Sequence, residues 1–130
     1  MNYAVRYYSR SGNTKAVAEA FSNELGVDAI SVDNVSVPAN EEADILFIGG
    51  ALYAYGIDEH LKAYLSDLSS KKIKKAVVFS TSWISKHAIE LIKDSLEGAG
   101  IEVEKDSFYS RGKPGTQALT KAKEFVKKFC

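Results

Sequence analysis

Short apolar runs alternate with amphipathic helical patterns along this chain, and that alternation restricts the fold more than any other feature. Tyr3 to Tyr8 reads as a first strand. Asn13 to Leu25 reads as a helix, with Val17, Phe21 and Leu25 at four-residue spacing and Gly26 as its stop. Val27 to Val32 is a short second strand, followed by a polar loop holding Pro38 and Glu41-Glu42. Ala43 to Ile48 is a buried strand running into Gly49-Gly50. Asp58 is placed to cap a helix whose inward face is Leu61, Tyr64, Leu65 and Leu68. Ala76 to Phe79 is the fourth strand. A helix from Ser85 turns Ala88, Leu91, Ile92 and Leu96 inward. Ile101 to Tyr109 alternates as a half-covered edge strand does, and Gly115 to Phe129 is the last helix. Strands separated by such helical stretches form βαβ units. Right-handed crossovers then give an α/β, doubly wound parallel sheet of five strands with helices on both faces.

Between the first strand and the first helix lies Tyr7-Tyr8-Ser9-Arg10-Ser11-Gly12-Asn13-Thr14-Lys15. Free backbone N–H groups and the positive end of the helix dipole converge there, which makes an anion cradle. Ser9, Ser11, Thr14 and the Asn13 amide add donors, and Gly12 lets the backbone approach a phosphate closely. The loop has neither the G-x-x-x-x-G-K-[ST] pattern of triphosphate binders nor the dinucleotide G-x-G-x-x-G. Hydroxyls stand where those loops use glycines, which suits a terminal phosphate monoester.

At 130 residues, 45% hydrophobic and 26% charged, the chain is long enough for one domain, 1–130, with a real core. No apolar run approaches the roughly 20 residues of a membrane span. The N-terminus lacks a basic stretch followed by an apolar core, and the lone cysteine, Cys130, has no internal partner. A cytoplasmic, reducing compartment is the expectation, with no membrane and no nucleic-acid partner, because no base-reading motif accompanies the lysines. Formal net charge is zero but unevenly spread. Residues 19–67 carry ten acids against Lys62 alone, and residues 68–130 carry thirteen bases against seven acids.

Tyr7 followed by Ser9-x-x-Gly12-x-Thr14-x-x-x-Ala18 resembles the FMN-phosphate signature of the flavodoxins. It departs at Arg6, usually apolar in the family, and at Phe21, usually aliphatic. The resemblance extends over essentially the whole chain and is to the short-chain form. It implies the flavodoxin-like strand order 2-1-3-4-5, FMN as cofactor, and a site at the carboxyl ends of strands 1 and 3. Three loops then meet over the ligand. Ser9, Arg10, Ser11, Gly12, Asn13 and Thr14 take the phosphate. Ala51, Leu52, Tyr53, Ala54, Tyr55 and Gly56 offer aromatic faces and backbone groups to the flat ring. Thr81, Ser82, Trp83 and Ser85 flank it, with Trp83 stacking and the hydroxyls reaching the pyrimidine edge. In the family a glycine-containing peptide of the second loop turns to hydrogen-bond the ring's N5 upon reduction, and Gly56 is its positional candidate. The third loop is neutral, with Lys86 and His87 beside it, where the family often carries acids.

Receiver domains need an acidic cluster after strand 1, and low-molecular-weight phosphatases need a cysteine in the first loop; neither is present. Two functions stay open. One is an electron carrier that docks transiently on redox partner proteins, expected as a monomer. The other is a small FMN-dependent NAD(P)H quinone or flavin reductase, for whose second substrate the chain has little material. Asp58-Glu59 and Glu41-Glu42 are expected to form an acidic rim that steers a basic partner. Arg6 in a central strand needs a buried counter-charge, with Asp33 and Asp44 as candidates. His60 and His87 have no neighbours at metal-ligand spacing.

Overall fold

The computed structural model describes all residues except 35–40, 54, 55 and 84. The Pro38 loop therefore lies outside the described residues. The elements run β1 (Tyr3–Tyr7), α1 (Asn13–Leu25), β2 (Ala29–Ser31), β3 (Ala43–Gly50), α2 (Glu59–Ser66), β4 (Ile73–Thr81), α3 (His87–Gly98), β5 (Glu102–Val103), β6 (Phe108–Ser110) and α4 (Thr116–Lys127). All strand pairs are parallel, in the order β2-β1-β3-β4, with both β5 and β6 on the outer edge of β4.

The expected single fifth strand over Ile101–Tyr109 is thus two short strands in one lane. Ala76 pairs with Val103 and Phe79 with Phe108, so the chain takes five steps where β4 takes three. The two extra residues form a detour around the exposed Lys105 and Asp106. An even number preserves side-chain parity. Ile101 and Tyr109 accordingly face one layer, while Phe108 faces the other.

The two faces of the sheet are packed by different chemistry. The α1 and α4 face collects all six phenylalanines with Tyr3, Tyr7 and Val17. Phe21 is the hub of this layer, its ring centroid 4.9 Å from that of Phe79 and within 6.0 Å of Phe47, Phe108 and Phe125. This explains an aromatic where the flavodoxin pattern favours an aliphatic residue: each edge-to-face pair adds about 0.5–1.5 kcal/mol beyond burial. The α2 and α3 face is aliphatic, built on Leu46, Ile48, Leu61, Leu65, Ile92 and Leu96.

Arg6 is 8% exposed within β1. Its partner is neither Asp33 nor Asp44 but Glu41, held through two 2.7 Å hydrogen bonds from Nε and Nη2. Tyr64 Oη donates to the same carboxylate at 3.4 Å, and burial together with Glu41's charge keeps that phenol protonated. Asp44 lies elsewhere, accepting from the Asn2 backbone and pairing with Lys74; Asp33 accepts from Ser31 Oγ. Among the described residues no helix is long and apolar enough to cross a membrane.

Candidate functional site

Parallel strands direct β1, β3, β4 and β6 to deliver their following loops to one end of the sheet. The first loop turns at Gly12, whose φ of 92° is the left-handed region that glycine occupies without strain. Gly12 is the N-cap of α1 without a side-chain cap, so the first amides of a 13-residue helix remain open to a ligand. The loop holds its own shape: the Gly12 N–H donates to Ser9 Oγ at 3.0 Å. Thr14 Oγ1 lies 2.7 Å from Thr81 Oγ1 in a buried contact that ties the helix start to the end of β4.

A latch joins the first loop to the second. The Arg10 guanidinium carbon sits 3.8 Å from the Tyr53 ring centroid, and the Arg10 backbone N–H donates to Tyr53 Oη at 3.3 Å. Arg10 Nη2 also reaches Asp58 Oδ2 at 3.0 Å. The other Asp58 oxygen caps α2, accepting from the His60 backbone at 2.7 Å and contacting His60 Nδ1 at 3.0 Å. The His60 ring in turn stacks on Tyr8, centroids 5.4 Å apart. Burial pushes the Asp58 carboxyl up, but the hydrogen bonds from Arg10 and His60 outweigh it and hold it below the usual carboxylate range. Burial likewise raises the Tyr53 phenol, which stays neutral.

The third loop leaves β4 through Thr81 and Ser82. Tyr109 Oη donates to the Ser82 carbonyl, and Arg111 Nε to the Trp83 carbonyl at 3.2 Å. The indole lies flat on Gly112, where an added Cβ would come within 2.5 Å of the ring. Trp83 is nonetheless 64% exposed. The hydroxyls of Ser80 and Ser82 are buried without a hydrogen-bond partner.

Ser9, Ser11, Asn13, Thr14, Ala51, Leu52, Tyr53, Thr81, Ser82 and Trp83 line one cavity of about 260 Å³. Three loops, at residues 9–14, 51–53 and 81–83, have been brought around a single concavity, with the unpartnered Ser82 hydroxyl among its lining residues. A flavodoxin domain model matches residues 4–120. The chain belongs to the flavodoxin family. A flavodoxin from the domain Archaea superposes with a TM-score of 0.78 at 26% identity, covering 98% of this chain and 95% of that one. Flavodoxin 1 from Bacillus cereus, at 18% identity, superposes with a TM-score of 0.81 over 99% of this chain and 97% of its own. Rubredoxin oxygen:oxidoreductase from Desulfovibrio gigas carries the same fold in 34% of its length, with a TM-score of 0.81 over 96% of this chain at 12% identity. An uncharacterized protein of Methanocaldococcus jannaschii is 29% identical over 96 residues, covering 70% of this chain; the match spans 62% of that protein.

Within this flavodoxin-family chain, several candidate residues stand apart from the cavity wall. Arg10 does not line the cavity; its guanidinium is engaged by Asp58 and Tyr53. Gly12 contributes backbone shape, and Ser85 Oγ accepts from the His87 N–H at the start of α3. Gly56, with φ of 108°, borders a separate cavity of about 250 Å³ with Leu65, Leu91 and Ser95. Its N–H already donates to the Tyr53 carbonyl at 3.0 Å. Ala54 and Tyr55 lie outside the described residues. The acidic rim is not assembled: Asp58 is buried against Arg10, and Glu42 pairs with Lys72 at the opposite end of the sheet. The latch residues Tyr8 and His60, and the Trp83 supports Tyr109 and Gly112, had no motif to mark them.

Proposed function

We propose that this flavodoxin-family chain binds FMN at the three-loop cavity and serves as an electron carrier. The observation that carries the reading is the wall chemistry: open α1 amides and loop hydroxyls at one side, the orphan Ser82 hydroxyl at another, and Tyr53 and Trp83 at the mouth. The residues fit the group. Ser9, Ser11, Asn13 and Thr14 would hold the phosphate, the α1 dipole balancing part of its charge. A cavity of about 260 Å³ sits just below the usual small-ligand range of roughly 300 Å³ and upward. It takes a phosphate and a polyol chain more readily than a whole flavin, which leaves the ring head with the rim aromatics.

FMN, when bound, supplies one- and two-electron redox chemistry. The chain's own part is to bind, orient and expose. The Thr14–Thr81 contact fixes the phosphate loop against β4. The Arg10–Tyr53–Asp58 latch fixes the second loop against the first. Trp83 is presented outward rather than roofed over, as suits electron exchange with a docked protein.

Titrating FMN, riboflavin and FAD into apoprotein tests the reading. One equivalent of FMN should bind, and riboflavin, lacking the phosphate, at least a hundredfold more weakly. That factor follows from losing two or more charge-assisted hydrogen bonds at about 1.5–3 kcal/mol each. Equal affinity for riboflavin overturns the phosphate assignment. Rapid NADH or NADPH oxidation with a quinone, with no reductase added, replaces the carrier reading with the reductase one.

A further inference from the structure

The third loop and the β6–α4 loop build one surface around the exposed Trp83. Arg111 Nε is fixed to the Trp83 carbonyl, and the indole rests on Gly112, which places Lys113 one residue further along the same strip. Lys86 Nζ lies 5.5 Å from the Tyr109 ring centroid, and Tyr109 is itself bonded to the Ser82 carbonyl. Lys86, Arg111 and Lys113 are all exposed, and none is paired with a carboxylate among the described residues. No residue outside the described set carries a charge, so no hidden acid answers them.

Three acids at this end of the sheet have contacts of their own. Glu90 contacts His87 at 3.2 Å, Asp58 is held by Arg10, and Glu59 faces Lys62 at 3.5 Å. Asp33, which follows β2, stands three strand spacings from the end of β4, about 14 Å away. That exceeds the screening length of about 10 Å at 0.1 M salt. The first turn of α4 contains no acid, and its positive dipole end opens on the same side.

We propose that the Trp83 surface is a docking face for a redox protein whose own contact face is acidic. This rests on the carrier reading and adds to it the sign of the partner. An exposed aromatic beside cations that no carboxylate answers has the form of a small transient interface: an apolar anchor with steering charge at its edge. The indole, 64% exposed at the rim of the three-loop cavity, offers most of its surface to a docking protein.

The chain has one tryptophan, so its single indole N–H resonance reports on this surface directly, with or without flavin. Titration of the labelled holoprotein with an acidic plant-type [2Fe–2S] ferredoxin should shift or broaden that resonance. The basic protein cytochrome c, at the same concentration, should leave it in place. The dissociation constant for the ferredoxin should rise at least tenfold between 50 and 300 mM NaCl. K86E/K113E should raise it about tenfold or more at low salt, while the FMN spectrum and urea midpoint stay unchanged. Preference for cytochrome c, salt-independent binding, or an equal shift caused by NADPH alone overturns the proposal, the last in favour of a dinucleotide site. Intact FMN binding with no ferredoxin response sinks the docking face alone. Absent FMN binding sinks the carrier reading while the indole still reports.

Discussion

At the N-terminal end of the sheet most charges are answered by the molecule itself. Lys74 meets Asp44 at 3.0 Å, Lys72 meets Glu42 at 3.4 Å, and Lys75 bridges Glu104 at 3.1 Å and Glu102 at 3.5 Å. At the C-terminal end the helix α1 amides, two buried serine hydroxyls and three exposed cations have no such partners. The central strands β1, β3 and β4 run unbroken between the two ends, so the difference is written in the loops. One end is complete as it stands, and the other keeps binding capacity in reserve. Buried polar groups without partners cost stability, and a protein retains them where a ligand or partner completes them.

The largest expected effect lies at the open end. S11A/T14V removes two donors from the phosphate loop and should weaken FMN binding by two orders of magnitude or more, measured by titration of apoprotein. Wild-type affinity in that variant would erase the contrast between the ends. Next comes the charge pair inside the sheet. E41A strands the buried Arg6 guanidinium, and with Glu41 partly exposed it should cost about 2–3 kcal/mol in urea unfolding. A cost near zero would mean that Arg6 escapes to water.

The latch gives a smaller effect with a pH signature. D58N keeps a good N-cap for α2 but removes the charge that Arg10 holds. At pH 7 it should lose about 1 kcal/mol, since Arg10 is half exposed and the pair is screened. The folded Asp58 carboxyl is depressed, so its contribution is present above the unfolded value of about 4 and lost as pH falls through the folded one. Wild type and D58N should therefore converge below about pH 4; a gap that persists there assigns the effect to packing. The smallest effect belongs to the closed end. K74A breaks a surface pair and should change stability by no more than about 1 kcal/mol and FMN affinity not at all.

Local patterns carried the elements and the β1–α1 loop, with its turn at Gly12, into view. Asn13 to Leu25 is helix from end to end, because its apolar spacing and Gly26 stop are local signals. Asp58 is legible as a cap for the same reason. Pairings across the sequence were not. Glu41 reaches Arg6 from 35 residues away, and nothing in the spacing ranked it above Asp33 or Asp44. The two-residue detour between β5 and β6 hides because it preserves alternation. Trp83 is marked by its rarity, but its support by Gly112 and Arg111 is set by the register of β6 on β4. A charge tally by segment suggested an acidic rim, yet segments do not reveal that Asp58 lies beneath Arg10 or that Glu42 sits at the far end.

The chain of contacts from Tyr8 through His60, Asp58 and Arg10 to Tyr53 has a mechanical consequence. Two loops that would each lose conformational freedom on meeting a guest are already fastened to one another. The entropy of ordering them is thus surrendered during folding, when the hydrophobic core drives the reaction, and not again at each encounter. Cutting the fastening should show itself less in how the guest is held than in how often the empty loops wander out of place, a quantity that amide exchange at Ser9 to Tyr53 would record.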